Sequence, residues 1–158
     1  MIFLDNQKIF VSLLELLAKN KKENIVKDSL EVFRIFFQIS SEEMLYGWLT
    51  DNTHCVGILV ELLSCDSTAD VNLILLVLLN RILYLGEITV MPGEEGLDEA
   101  GKKSHSGTTS NNFKRYIMSQ PVLTEKFERI QMHKDDNVFS LVEIILNKYF
   151  NSDELDTF

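Results

Sequence analysis

Apolar residues along this chain recur at the three- and four-residue spacing of a helix. One such row consists of Leu141, Ile144, Ile145 and Tyr149. This spacing places side chains on one face of an α-helix, whereas a strand would require strict alternation of apolar and polar residues, which is absent. The pattern therefore predicts an all-α fold. The predicted helices cover residues 8–19, 24–39, 41–50, 56–64, 69–85, 111–119, 123–132 and 135–151.

The apolar pattern also repeats. Apolar positions of residues 14–39 fall on apolar positions of residues 60–85, at an offset of 46 and without a gap. Residues 61–83 fall in turn on residues 128–150, at an offset of 67. The longer second offset is explained by residues 88–112, which are rich in Gly, Ser, Thr, Lys and acidic residues. This composition predicts a mobile insertion between the second and third copies.

A period of 46 residues with three helices per unit is typical of armadillo and HEAT repeats, whose length is about 40–47 residues. We therefore expect residues 1–158 to form one domain, an armadillo/HEAT-type right-handed superhelical solenoid of about three repeats. Its approximate parts are repeats 1–40, 41–87 and 111–151, the insertion 88–112 and an acidic tail 152–158. The alternative is an irregular helical bundle in which matches between apolar residues are coincidental.

Two segments resemble a known family. Residues 60–87, VELLSCDSTADVNLILLVLLNRILYLGE, are similar to one of the last armadillo repeats of importin alpha, the nuclear import adaptor. Residues 125–150, EKFERIQMHKDDNVFSLVEIILNKYF, are similar to the final repeat of that family. Acidic residues at 93–98 and 152–156 match acidic segments that the family carries between and after these repeats. The resemblance implies a protein-binding adaptor without catalysis, present in the cytoplasm and the nucleus.

The residues by which that family holds its cargo are absent from this chain. The family uses Trp and Asn, four residues apart, on the third helix of most repeats. The Trp positions are occupied here by Glu31, Val77 and Ile144, and the Asn positions by Ile35, Arg81 and Lys148. Basic cargo is therefore expected only if further repeats exist. The resemblance instead implies contact with the export receptor that recycles the adaptor, with Glu143, Asp153 and Glu154 as candidate residues.

Polar residues along the third helices predict a binding face. In an armadillo architecture these helices line the concave side, and the candidates are Glu31, Arg34, Gln38, Asn80, Arg81 and Tyr84. The alternative reading is a solvated face without a partner. At the level of the whole protein, the competing hypothesis is a divergent armadillo or HEAT scaffold for an unrelated assembly.

Composition narrows the choice of partners. The formal net charge of −9 disfavours a nucleic-acid backbone and favours basic partners or simple solubility. No secretory signal is recognisable, so Cys55 and Cys65 are expected to be reduced packing residues at the two ends of one helix. The most apolar stretch, residues 73–85, is shorter than the roughly 20 residues of a membrane span, which predicts a buried helix and no membrane association.

No cofactor and no enzymatic activity are expected. Residues 96–104 approximate a phosphate-binding loop, but Lys103 occupies the Ser/Thr position, and Asp98 and Glu99 would repel phosphate. A nucleotide-using enzyme remains the weaker third hypothesis. The His and Cys residues are too scattered in sequence for a zinc site, and no nucleophile is paired with a base.

Two packing predictions concern the first half of the chain. Trp48 is expected to form a packing cluster between the first and second repeats, together with Leu45, Tyr46 and Leu49. The first repeat starts almost at Met1 without its first helix, which suggests a fragment or a part of a larger assembly. We expect an open apolar end that promotes self-association. Its residues are Ile2, Phe3, Leu4, Leu13, Leu14, Leu16 and Leu17.

Overall fold

The computed structural model describes residues 2–19, 22–88 and 111–150, with side chains described from Lys8 onward. Within these ranges the chain is helical and contains no strand, which confirms the predicted all-α class. The helices are α1 (Ile2–Lys19), α2 (Glu23–Ile39), α3 (Glu42–Asp51), α4 (His54–Leu62), α5 (Ala69–Ile88), α6 (Asn112–Met118), α7 (Pro121–Ile130) and α8 (Asp136–Ile145), followed by a π turn (Leu146–Phe150).

Several helix ends differ from those predicted. Helix α1 begins at Ile2 rather than residue 8, since no Gly or Pro separates the two positions. Helix α5 continues through Gly86 to Ile88. Pro121 is the first residue of α7, where the missing backbone N–H costs no helical hydrogen bond. The last predicted helix ends in a π turn, a rare geometry that often occurs at functional positions.

Short polar side chains define three of the helix starts. Ser41 accepts a hydrogen bond from the backbone N–H of Met44 at 3.2 Å, as its position before two glutamates predicts. Asp135 accepts from the backbone N–H groups of Asn137 and Val138, at 2.8 and 3.2 Å. Asn111 caps α6 in the same way. These caps fix the points at which the chain turns into each helix.

Helices that share a register in the sequence are also neighbours in space. Helices α2, α5 and α8 start at Glu23, Ala69 and Asp136, which reproduces the offsets of 46 and 67. Helix α5 packs against α2 on one side and α8 on the other, and α4 packs against α1 and α7. The repeating apolar pattern therefore corresponds to a repeating set of helix contacts.

Helix α5 forms the centre of the apolar core. Leu75, Leu79 and Ile82 are fully buried, and the helix contacts α2, α3, α4, α6 and α8. At 20 residues, α5 is long and apolar enough to cross a membrane, so the length argument made from residues 73–85 was wrong. More than half of its apolar window, 56%, is buried inside the protein, which is typical of the core helix of a soluble domain.

An aromatic cluster joins α1, α2 and α3. The rings of Phe10 and Phe36 stack with centroids 3.8 Å apart, and the Trp48 ring lies edge-on to Phe36 at 5.4 Å. Aromatic pairs of this kind add about 0.5–1.5 kcal/mol beyond the area they bury. Trp48 is buried as predicted, as are Leu45 and Leu49, whereas Tyr46 is half-buried.

The N-terminal end is less open than predicted. Leu14 and Leu17 are each only 1% exposed because α1 packs on α2 and α4, and Leu13 is half-buried. Ile9 and Leu16 do face solvent, at 55% and 40% exposure. The side chains of Ile2, Phe3 and Leu4 lie outside the described part, and the expected self-association stays a prediction.

Residues 89–110, including the loop at 96–104, lie outside the described residues. The described structure resumes at Asn111, and hydrogen bonds of its side chain fix this position. The Asn111 side chain donates to the backbone oxygen of Leu83 at 2.6 Å and accepts from the backbone N–H groups of Phe113 and Lys114. It lies directly against Gly86, which has no side chain to displace it. Asn111 thus attaches the start of α6 to the end of α5.

Candidate interaction surface

The exposed sides of α2, α5 and α8 form one continuous surface, which we call the long-helix face. Contacts between neighbouring helices occur at three places along this surface. At the start of the helices, Lys27 on α2 pairs with Asp70 on α5 at 3.2 Å. Beyond the end of α2, Glu42 at the start of α3 pairs with Arg81 of α5 at 3.6 Å. Between α5 and α8, Lys148 lies over the ring of Tyr84.

The most distinctive part of this face surrounds Tyr84. The guanidinium carbon of Arg81 lies 5.6 Å from the centroid of the Tyr84 ring, and Nζ of Lys148 lies 5.7 Å from it. Nζ of Lys148 also lies 5.2 Å from the centroid of Tyr149. We call Arg81, Tyr84 and Lys148 the cation–tyrosine cluster. Each cation is attracted to the negative face of an aromatic ring, which contributes about 0.5–1 kcal/mol at an exposed site.

Tyr149 forms the buried floor beneath Lys148. It is 4% exposed, and its hydroxyl forms no hydrogen bond of good geometry among the described residues, although the nearby Lys148 ammonium interacts with it. Burial raises the pKa of the Tyr149 phenol, while Lys148 acts in the opposite direction. The phenol therefore stays neutral at physiological pH, so the charge at this point of the face is that of Lys148.

Apolar side chains lie exposed on all three long helices. Ile35 on α2 is 50% exposed, Val77 on α5 is 47% exposed, and Ile144 on α8 is 56% exposed. Val32, Ile39 and Phe139 add to the apolar area on α2 and α8. Large apolar side chains on a water-facing helix side have no packing role in the described fold. Their combination with charged groups is typical of a surface that meets another polypeptide.

The six side chains predicted on this face differ in accessibility. Gln38 is exposed, and Arg81 and Tyr84 are half-buried in the cation–tyrosine cluster. Glu31 and Arg34 pair with each other at 2.8 Å, with each side chain 39% exposed. Asn80 is the exception, because its carboxamide oxygen is buried and has no partner within the described ranges.

The predicted export-receptor residues are only partly placed. Glu143 is exposed on α8 and directly precedes Ile144 in the sequence. Asp153 and Glu154 lie outside the described residues. Sequence reasoning noted Lys148 only as a lost asparagine position and did not predict its contact with Tyr84. The available signal was its offset of 67 from Arg81, which puts a cation at the same register on neighbouring helices.

The loop between α4 and α5 is a second polar feature, and its role is structural. Asn72 is fully buried, accepts from the backbone N–H of Ser64 at 3.2 Å, and donates to the backbone oxygens of Ser64 and Ser67. The His133 ring lies on the other side of the loop, with Nε2 3.1 Å from the oxygen of Ser67 and Nδ1 accepting from the backbone N–H of Asp135. The tautomer that fits both contacts has Nδ1 as the acceptor and Nε2 as the donor to the Ser67 oxygen.

The two cysteines have different surroundings. Cys55 is fully buried, as expected of a packing residue, and burial strongly raises the pKa of its thiol. Cys65 is exposed because α4 ends at Leu62, so its predicted packing role at the helix end is wrong. Its Sγ lies 3.2 Å from the backbone oxygen of Arg129. Both thiols are free, as predicted.

A cavity of about 140 Å³ next to Cys65 is lined by residues that include Lys126 and Arg129. It is smaller than the roughly 300–1,000 Å³ of typical ligand pockets. No group of three or more His, Cys, Asp and Glu side chains with metal-binding geometry occurs among the described residues.

Comparisons of the chain with protein-family models, with curated proteins and with solved structures find no match. The function therefore has to be inferred from the repeat register, the long-helix face and the resemblance proposed from the sequence.

Proposed function

We propose that this chain is an importin-alpha-like adaptor, or the C-terminal portion of one, that binds other proteins in nuclear import and carries out no catalysis. In this proposal the helices form an armadillo-type right-handed solenoid, and the long-helix face is its concave side. The proposal implies that the protein is present in both the cytoplasm and the nucleus.

The observation that carries the proposal is the agreement between sequence register and helix packing. Repeat proteins bury the apolar face of each unit on the next unit, so equivalent helices stack in order. Here α2, α5 and α8 occupy equivalent positions at offsets of 46 and 67 and pack in that order, as do α1, α4 and α7. In an irregular bundle, helices at equivalent sequence positions would not be expected to pack against each other in sequence order.

The resemblance then favours one family among helical repeat proteins. The segment 60–87 covers the end of α4 together with nearly all of α5. The segment 125–150 covers most of α7, all of α8 and the π turn. Both segments thus contain a helix of the proposed concave side and the end of the helix that packs behind it.

The chemistry of the long-helix face suits a protein partner. Its ion pairs are solvent-exposed, and such pairs contribute only about 0–1 kcal/mol, so they exchange readily for contacts with a partner. Its exposed aliphatic side chains offer area that a bound segment would remove from water. Arg and Tyr, both present in the cation–tyrosine cluster, are enriched at the centres of protein interfaces.

The test is binding to the nuclear export receptor in the state in which it takes up export cargo. We expect the purified chain to bind it in isothermal titration calorimetry. The triple variant Glu143→Gln, Asp153→Asn, Glu154→Gln should bind more weakly. Glu61→Gln removes an exposed carboxylate from α4, a different helix from that of Glu143, and serves as the matched control. Equal affinity for all three proteins, or no binding of the unmodified chain, would contradict the adaptor assignment.

The second candidate is a divergent armadillo or HEAT scaffold for an unrelated assembly. It is favoured by the absence of Trp and Asn from the cargo-holding positions, since these are the residues that define the import function. The two proposals differ in the cell. A fluorescently tagged adaptor accumulates in the nucleus when export is blocked, whereas the distribution of an unrelated scaffold does not respond.

A further inference from the structure

In the cation–tyrosine cluster, Arg81 and Lys148 place two positive charges beside Tyr84, and the Glu87 carboxylate is near enough to raise the pKa of the adjacent Tyr149. The salt bridges of the described residues compensate these two cations only in part. Within the described ranges Lys148 forms no salt bridge. Arg81 has one, to Glu42, at the long distance of 3.6 Å, with side-chain exposures of 35% and 50%. An exposed pair of this geometry adds little stability. In a chain with a net charge of −9, two neighbouring cations on one face are a local exception.

The apolar side chains around the cluster indicate the composition of a segment that would bind there. Val77 lies one helical turn before Arg81, and Ile144 lies one turn before Lys148, both about half exposed. An occupant that satisfies this surface must supply carboxylates opposite Arg81 and Lys148 and an apolar side chain between or beside them. The surface therefore fits a short acidic segment that contains apolar residues.

The chain itself contains such a segment directly after the π turn. Residues 152–158 read SDELDTF, with carboxylates at Asp153, Glu154 and Asp156 and an apolar side chain at Leu155. The π turn ends at Phe150, two residues after Lys148. Residues 151–156 can extend about 3.3–3.6 Å each, or about 20 Å in total, and this total exceeds the roughly 8–10 Å between the axes of packed helices. The segment is therefore long enough to pass Lys148 and to arrive at Arg81 on α5.

Two electrostatic effects favour placing the carboxylates of the segment at the cluster rather than directly beyond the helix end. The C-terminal end of a helix carries partial negative charge, so carboxylates are unfavourable directly beyond it. Arg81 and Lys148 offer those carboxylates an opposite charge within the same surface. Because the segment is covalently attached, its effective concentration at the cluster is on the order of millimolar, and even modest contacts populate the bound state.

We propose that the acidic segment 152–156 binds intramolecularly to the cation–tyrosine cluster, with its carboxylates opposite Lys148 and Arg81 and Leu155 beside Val77 and Ile144. The bound segment covers the end of the long-helix face and competes with any partner that uses this surface. This inference depends on the described geometry and on the residues of the segment. It stands whether or not the protein is a nuclear import adaptor.

The test measures proximity in the full chain. A nitroxide spin label is attached at Thr157→Cys in a Cys65→Ser background, where the buried Cys55 is protected from labelling. Methyl NMR signals are then compared between the native segment and the charge-neutralised segment Asp153→Asn, Glu154→Gln, Asp156→Asn. We expect Val77 and Ile144 to lose peak intensity with the native segment and to recover it with the neutralised one.

Three controls separate this outcome from others. Val122, exposed on α7 away from the long-helix face, should show the same intensity with both segments. Arg81→Gln combined with Lys148→Gln should restore the signals of Val77 and Ile144 as the neutralised segment does. Salt at about 1 M, which shortens the screening length to about 3 Å, should act in the same way.

Two results would overturn the proposal. The first is equal intensity at Val77 and Ile144 with the native and neutralised segments. The second is broadening that arises when spin-labelled, isotopically unlabelled chain is mixed with isotopically labelled chain that carries no spin label. The latter result would assign the cluster to contacts with a second copy.

Discussion

The contact between Gly86 and Asn111 yields the sharpest stability prediction. A Cβ atom at residue 86 would approach the Asn111 carboxamide, at 2.7 Å from its Cγ, and would lie 2.9 Å from Cδ2 of Phe113. Real Cβ atoms are essentially never found this close to another heavy atom. In Gly86→Ala the Asn111 side chain must therefore move away from α5, or α6 must shift as a whole.

The cost follows from the contacts that Asn111 makes. Moving it breaks the buried bond to the Leu83 oxygen and weakens the two bonds that cap α6. Leaving a buried polar group unsatisfied costs about 1–3 kcal/mol, and losing an N-cap costs about 0.5–2 kcal/mol. Ala is favoured over Gly in a helix by about 1 kcal/mol, which offsets part of this loss. We expect Gly86→Ala to lower the free energy of unfolding by about 2–4 kcal/mol, with crowding of Phe113 included.

Urea unfolding followed by circular dichroism measures this difference. Gly47→Ala is the matched control, because Gly47 is also helical but a Cβ there meets no atom within 4 Å. That control should raise the free energy of unfolding by about 0.5–1 kcal/mol. In an Asn111→Ala background, Gly86→Ala should cost much less than in the native background, since the carboxamide is gone. A Gly86→Ala protein as stable as the Gly47→Ala protein would refute the reasoning.

Three further predictions follow. Asn72→Ala should lower the free energy of unfolding by about 1–3 kcal/mol, because the backbone oxygen and N–H of Ser64 lose their partner. In urea titrations, a change of less than about 0.5 kcal/mol would contradict this expectation. Burial raises the pKa of the Cys55 thiol in the native protein. Above the unfolded thiol pKa of about 8.5, the unfolded chain therefore releases a proton that the native chain keeps. The free energy of unfolding should then fall with rising pH by up to about 1.4 kcal/mol per pH unit. This slope should shrink in Cys55→Ser, and native protein should show one reactive thiol, Cys65. Replacing residues 89–110 by a linker of half the length should change stability by only about 0.6 kcal/mol, which thermal and urea unfolding can check.

The sequence predicted what depends on periodicity within a helix. The helical pattern of apolar residues placed the start of α5 at Ala69, and the N-cap at Ser41 followed from a local pattern of Ser and Glu. Burial of Trp48 followed from its apolar neighbours. These features are local or repeated, so a single chain carries enough information to detect them.

Features that arise from contacts between distant residues were not predicted. Lys148 and Tyr84 meet only because α5 and α8 pack side by side, and Gly86 and Asn111 meet across residues 89–110. The exposure of Cys65 depends on where α4 ends, and helix ends are poorly determined by sequence patterns. In each case the missing information was the relative placement of two helices.

The position of Trp48 makes the molecule its own unfolding reporter. It is the single tryptophan of the chain, and its aromatic neighbours, Phe10, Phe33 and Phe36, all belong to α1 and α2. Tryptophan emission therefore monitors the first half of the protein, whereas circular dichroism monitors every helix. Stacked repeats can unravel from one end, and a single cooperative unit cannot. Coincidence of the two denaturation curves would indicate that the helices unfold as one cooperative unit, and separation would indicate that the first half unfolds independently.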